Sequence, residues 1–198
     1  MIPDHSGHCR RCKEQVRWLL TALYGDCRVS YSFSWSAKVQ DYEHTAIGDT
    51  LRRIYDGLGQ LRGYRDFIKS AQVPPCDYYI PSRPFILEFD ESQHFSRPRL
   101  VSLTLYPLDF KAGFSLSRWR ELCREIDAED DEPADRDERR AWYDVLRDLV
   151  PTLHGFHPTV RLYAGEFAWC SLDSASAKDR EIFRSILKDR VPDVWTGK

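Results

Sequence analysis

Five side chains able to do chemistry fall in one stretch, CDYYIPSRPFILEFDESQHF, from Cys76 to Phe95. In the strand-like run FILEFD, residues two apart share a face, so Glu88 and Asp90 project together while Leu87 and Phe89 project the other way. Two neighbouring carboxylates repel, and a proton, an arginine or a divalent metal would each relieve the repulsion. Asp77 opens the preceding strand, and a tight hairpin would bring it to the same end. Three acids on one edge suit a hard cation such as Mg²⁺ or Mn²⁺, which activates a water and neutralises charge on a phosphoryl group. His94, just past the strand, is placed to act as a general acid or base, and Gln93 to orient a water or a phosphate. An isolated E-x-D is otherwise a solvated strand face. Here the apolar neighbours predict burial, where unpaired carboxylates are costly.

The flanking pattern predicts the elements that must hold these residues. Val16, Leu19, Leu20 and Leu23 mark a helix from Glu14 to Tyr24, and the alternation Cys27, Val29, Tyr31, Phe33, Trp35 marks a half-buried strand. Ile47 to Ile68 reads as a longer helix interrupted by Gly57, Gly59 and Gly63 and ended by Pro74-Pro75. Strands over 76–80 and 85–90 follow, joined by PSRP. The stretch 100–106 fits a strand or a short helix. Helices are predicted over 116–126 and 136–149, strands over 159–163 and 166–172 in a hairpin at Gly165, and a closing helix over 174–188. Helices and strands alternate around a central hairpin, which predicts a single mixed α/β domain over 1–198.

The run D-Y-Y-I-P followed by F-I-L-E-F-D-E-S-Q-H-F resembles the signature of small endonucleases related to very-short-patch-repair enzymes, within the PD-(D/E)xK superfamily. Asp77 matches the first metal-binding Asp, Glu88 the second acid, Asp90 the position usually held by Lys, and His94 the trailing His. The resemblance implies a restriction-endonuclease-like fold, a mixed central sheet flanked by helices. It also implies metal-dependent hydrolysis of DNA, with Asp77, Glu88 and Asp90 as metal ligands. Glu91 stands where the family has Gly, and Lys111 is a candidate source of the missing amine. A scaffold that binds nucleic acid or a protein without turnover is the alternative reading.

The helix RDERRAWYDVLRDL and the downstream G-F and V-R-L-Y also echo the family, with Asp137, Arg140, Tyr143, Asp144 and Arg147 at helical spacings. Arg140, with Arg97 and Arg99, is a candidate contact to nucleic acid, although pairs such as Asp144 and Arg147 also suit a helix surface. Since the first helix of such folds often lends a Glu to the metal, Glu14 joins the candidates. The N-terminal segment 1–13 carries His5, His8, Cys9 and Cys12, a C-x-x-C half-site compatible with structural zinc that needs a further ligand, with incidental thiols at a helix start as the larger alternative and a redox pair as the smaller. Cys27, Cys76, Cys123 and Cys170 stand alone in the sequence.

The 198 residues are 42% hydrophobic and 30% charged, enough for an ordinary core and too polar for a membrane span. The opening residues lack the apolar run of a signal peptide, so a cytoplasmic protein with reduced thiols is expected. The net charge of -2 conceals a partition, for Glu125 to Glu138 carries nine carboxylates against one Arg. An acidic loop over 127–137 thus sits on a modestly basic body, compatible with a DNA partner. The sequence leaves RNA, a homodimer and a defence-system partner protein open.

Overall fold

The computed structural model describes residues 7, 9–188 and 190, so His5 and His8 lie outside the described residues. The chain is a mixed α/β domain with one four-stranded sheet in the order β1 (Arg28–Tyr31), β2 (Cys76–Ile80), β3 (Phe85–Asp90), β4 (Val160–Tyr163). β1, β2 and β3 run as an antiparallel meander, and β4 lies parallel to β3. The six helices are α1 (Arg10–Tyr24), α2 (Gly48–Leu61), α3 (Arg97–Thr104), α4 (Leu116–Ile126), α5 (Arg136–Leu153) and α6 (Ala177–Lys188). No helix among the described residues is long and apolar enough to cross a membrane.

Strand alternation divides the core into two layers. Phe85, Leu87 and Phe89 of β3, with Val160 and Leu162 of β4, pack on Val16, Leu19 and Leu20 of α1 and on Phe183 and Leu187 of α6. The opposite face meets the layer built from α2 to α5, where Ile86 joins Leu51, Ile54, Trp119, Trp142 and Leu146. All six residues of β3 are buried, so the strand is covered on both sides.

Several boundaries differ from the sequence expectation for identifiable reasons. The edge strand forms its ladder only over Arg28–Tyr31, because Tyr31 pairs with Cys76 and the preceding Pro74 and Pro75 have no N–H to offer. Phe33 and Trp35 continue the alternation as a stack at 4.1 Å, capped by Phe156 and His154. α2 stops at Leu61, followed by Gly63 at φ 84°. The ambiguous 100–106 stretch is helical, with Ser96 capping α3 at Arg99 N. The expected strand 166–172 is two 3₁₀ turns, Ala164–Glu166 and Trp169–Ser171. There the buried Trp169 donates Nε1–H to the Tyr163 carbonyl and faces Phe89 and Phe183, a packing that an extended strand would not supply.

Beside β4, Gly113 bridges to Val160, and a Cβ built on it would meet the Thr159 carbonyl oxygen at 2.5 Å. The obstacle is backbone and cannot swing aside. Gly113→Ala is expected to destabilise the fold by about 1–3 kcal/mol, the usual range for overpacking a tight site. Chemical denaturation measures this, and an unchanged midpoint would contradict the close approach.

Candidate active site

The β2–β3 register places Asp77 beside Glu88, and two hydrogen bonds tie the pair. The Asp77 backbone N–H donates to Glu88 Oε1 at 3.3 Å, and the Phe89 N–H donates to Asp77 Oδ2 at 2.9 Å. Glu88 and Asp90 share the face that looks onto α5, as the strand period requires, and both are buried. Asp90, however, is taken up elsewhere. Its Oδ1 accepts from Arg161 Nη1 and its Oδ2 from Trp119 Nε1, each at 2.7 Å.

Arg161 is the residue that sequence reasoning passed over. It pairs with Glu88 across the parallel β3–β4 ladder and is fully buried. Besides Asp90 it donates Nε–H to Asp148 Oδ1 at 2.7 Å and Nη2–H to the Asp144 carbonyl oxygen and Oδ1 at 3.2 and 3.3 Å. Asp148 accepts in addition from Arg99 Nη2 and Tyr106 Oη, both at 2.7 Å. Arg147 closes the other side, its Nε 3.6 Å from Glu88 Oε1. The layer between sheet and α5 thus holds four carboxylates (Glu88, Asp90, Asp144, Asp148), three guanidinium groups (Arg99, Arg147, Arg161) and His94.

His94 sits at the mouth of this layer, in the 3₁₀ turn Ser92–His94. Its Nδ1 is 2.9 Å from Asp144 Oδ2 and 3.7 Å from Asp90 Oδ1. Burial favours the neutral ring, but the charge and hydrogen bond of Asp144, helped by Asp90, outweigh it and raise the pKa above 6.5. Burial also opposes ionisation of Asp144, yet His94 and Arg161 hold that carboxyl well below the usual range. Glu88 goes the other way. Burial pushes it up to about 8, against the pull of Arg147 and with a push from Asp77.

The three acids do not fit a shared Mg²⁺ or Mn²⁺ as the sequence suggested, because cations of the protein stand where a metal would. Arg161 covers Asp90, Arg147 faces Glu88, and Lys13 Nζ lies 3.5 Å from Asp77 Oδ1 and 3.8 Å from Glu91 Oε2. Among the described residues, the group of metal-binding side chains whose ligand atoms all lie within 4.8 Å of one another is Cys9, Cys12 and Cys170, which is able to hold a metal ion. Cys170, isolated in the sequence, thus lies beside the C-x-x-C pair.

Other expectations are redistributed. Glu14 lies on the exposed side of α1 in a pair with Arg10, away from the acids. Arg99 is buried on Asp148 and unable to reach a ligand, whereas Arg97 is exposed. Lys111 is exposed and in no ion pair with the acids. Gln93 donates Nε2–H to Glu91 Oε2, and its carbonyl oxygen accepts from Arg140. Asp144 and Arg147, which helical spacing also suits to the surface, lie at the base of the site.

Beside His94 opens a cavity of about 270 Å³ lined by Pro74, His94, Tyr143 and four arginines of α5, Arg136, Arg139, Arg140 and Arg147. Those arginines recur at spacings of three, four and seven residues, which puts them along one side of the helix. Arg147 is held loosely, by contacts of 3.3–3.4 Å to the Pro74 and Pro75 carbonyls and to Asp144, and its buried Nε has no hydrogen bond. Arg136 and Arg140 both reach Asp130 of the acidic segment. That segment is therefore folded onto the basic surface, not free in solvent as a loop.

The raised Glu88 pKa carries a sign for stability. Its contribution is complete below pH 4.5 and is lost as pH rises through about 8, because ionisation in the buried site is what burial opposes. Glu88→Gln removes that titration. The stability of the variant relative to wild type is expected to rise between those limits, measured by denaturant melts at each pH. Parallel pH profiles for the two proteins would refute it. No family model, curated protein or solved structure matches this chain.

Proposed function

We propose that the chain is a nuclease-fold protein that hydrolyses nucleic-acid phosphodiester bonds, with DNA as the substrate, at the cavity beside His94. The observation that carries the reading is His94 held by the buried Asp144 at the edge of a cavity lined with four arginines. Asp144 fixes Nδ1, which leaves Nε2 as the ring atom available for proton exchange. Arg139 and Arg147 supply N–H donors for phosphate oxygens, with Arg136 and Arg140 beside them. Water attacks phosphorus, the P–O bond to the leaving oxygen breaks, the imidazolium proton passes to that oxygen, and the proton lost by the attacking water goes to solvent, from which the imidazole is reprotonated. The α1, three-strand meander, helix and parallel β4 order supports the reading, since it supplies the mixed sheet flanked by helices that the resemblance implies. Because the acids do not fit a shared Mg²⁺ or Mn²⁺, no step is assigned to a metal.

One observation favours a second reading, a scaffold that binds nucleic acid without turnover. Asp90, at the position of a catalytic group in the resemblance, has both oxygens committed to Arg161 and Trp119.

Cleavage and binding separate the two. Plasmid DNA and RNA are incubated in chelator and with Mg²⁺ or Mn²⁺ added, and binding is measured by fluorescence anisotropy. Hydrolysis predicts that His94→Gln cuts cleavage by about 10²–10⁴-fold while affinity persists. Undiminished cleavage in that variant sinks the assignment, and binding with no cleavage under any condition selects the scaffold. In either reading Arg139→Ala is expected to weaken binding and lower the salt slope by about one. Asp130→Asn, which releases Arg136 and Arg140, is expected to tighten it.

A further inference from the structure

We propose that Cys9, Cys12 and Cys170 form a thiolate site for zinc that fastens the start of α1 to the Trp169–Ser171 turn. The site is separate from the His94 cavity and does not depend on the nuclease reading.

Three observations carry it. First, the sulfur atoms come from two places far apart in the chain and lie within 4.8 Å of one another, and none of the three is in a disulfide. That spacing is what a metal bridging three sulfurs needs, with Zn–S bonds of about 2.3 Å. Second, the helix start offers a donor to one of the sulfurs. Cys9 is the N-cap of α1, and the Cys12 N–H donates to Cys9 Sγ at 3.4 Å, so an N-terminal amide of the helix already points at the sulfur. The first turn carries no acid, and Arg10, Arg11 and Lys13 flank the cysteines. A Zn²⁺ with three thiolates bears one net negative charge, which that setting favours. Third, this chain uses its other thiols singly. Cys76 and Cys123 belong to the core facing α5, and Cys27 packs at the edge of the other layer. Three cysteines gathered at one point depart from that usage.

The soft sulfur set selects zinc over Mg²⁺ or Mn²⁺. Binding releases the thiol protons to solvent, and the fourth tetrahedral position takes water or another small ligand. Mechanically the metal would clamp the first turn of α1, one residue from Lys13, to the turn that seats Trp169 in the core.

The test uses the full chain kept reduced, stripped with chelator and titrated with Zn²⁺ or Co²⁺. Bound stoichiometry, the thiolate-to-Co²⁺ charge-transfer absorption and alkylation mapped by mass spectrometry are read together. One metal per chain is expected, with a charge-transfer intensity typical of three thiolates. Zinc should protect Cys9, Cys12 and Cys170 together and leave the alkylation rate of Cys27 unchanged. Cys170→Ser should lose stoichiometric binding and the protection of Cys9 and Cys12. The wild-type alkylation pattern decides the matter even where that variant fails to fold. Equal alkylation with and without zinc, metal uptake lacking the thiolate band, or a Cys9–Cys12 disulfide on oxidation with no metal uptake under reduction would each overturn the proposal.

Discussion

The guanidinium of Arg161 lies on β4 with no solvent exposure, and two separate parts of the chain turn toward it. β3 supplies Asp90, and α5 supplies Asp148 with both a side-chain and a backbone oxygen of Asp144. Taking such a charge out of water costs several kcal/mol, so the state is tolerable only with each N–H directed at an acceptor. The planar fork of Arg offers five donors in fixed directions and can serve β3 and α5 at once, which a lysine cannot do. The relative placement of sheet and helix is therefore set by charge geometry as well as by apolar packing. Removing the guanidinium would leave Asp90 Oδ1 and Asp148 Oδ1 without their bonds to Arg161 in the core.

The same network determines what the site can do. Asp144 bonds Arg161 with one oxygen and His94 with the other, so the imidazole is oriented by a group that is itself immobilised. Glu88 has the opposite tendency to Asp144, because burial pushes its carboxyl up to about 8 against the pull of Arg147. Asp90 is a structural group instead. Its two short bonds to Arg161 and Trp119 make it a strut between β3, β4 and α4. Two carboxylates on one strand face, indistinguishable by spacing, thus have different roles because one accepts short bonds from Arg161 and Trp119 and the other faces a loosely held Arg147.

The parts that were legible in the sequence are those governed by local periodicity. The β2–β3 hairpin, α4, α5 and α6 follow from apolar spacing, and the placement of Glu88 and Asp90 on one buried face follows from the period of a strand. What local pattern does not carry is the identity of the neutralising partner. A pair of acids asks for a proton, an arginine or a metal, and only the tertiary structure shows that β4 and α5 answer with Arg161 and Arg147. A signal was present, since Arg161 interrupts the apolar run VRLY as Glu88 interrupts FILEF. A charge enclosed by strand-forming apolar residues needs a buried counter-charge, and two such strands are natural partners. Cys170 gave no comparable sign, because the 3₁₀ turn that delivers it depends on the packing of Trp169.

The charge partition along the chain acquires a spatial meaning. The acidic segment does not repel a distant anion from a free loop; it occupies the arginines directly. Asp130 binds Arg136 and Arg140, and the bond from Arg140, helped by Arg136, depresses its pKa. Asp131 and Glu138 both bind Arg62. In the proposed reading, any phosphate entering the cavity must therefore exchange with carboxylates for two of the four arginines, while Arg139, 4.0 Å from Asp135, and the loosely held Nη groups of Arg147 are engaged at less cost. Affinity is then the difference between two sets of charged hydrogen bonds. Salt screens the exposed Arg136–Asp130 pair more than the buried contacts around Arg147, so ionic strength weakens the internal competitor along with the ligand. In the proposed reading, an anion gains over the acidic segment only where it reaches an arginine that Asp130 does not already hold.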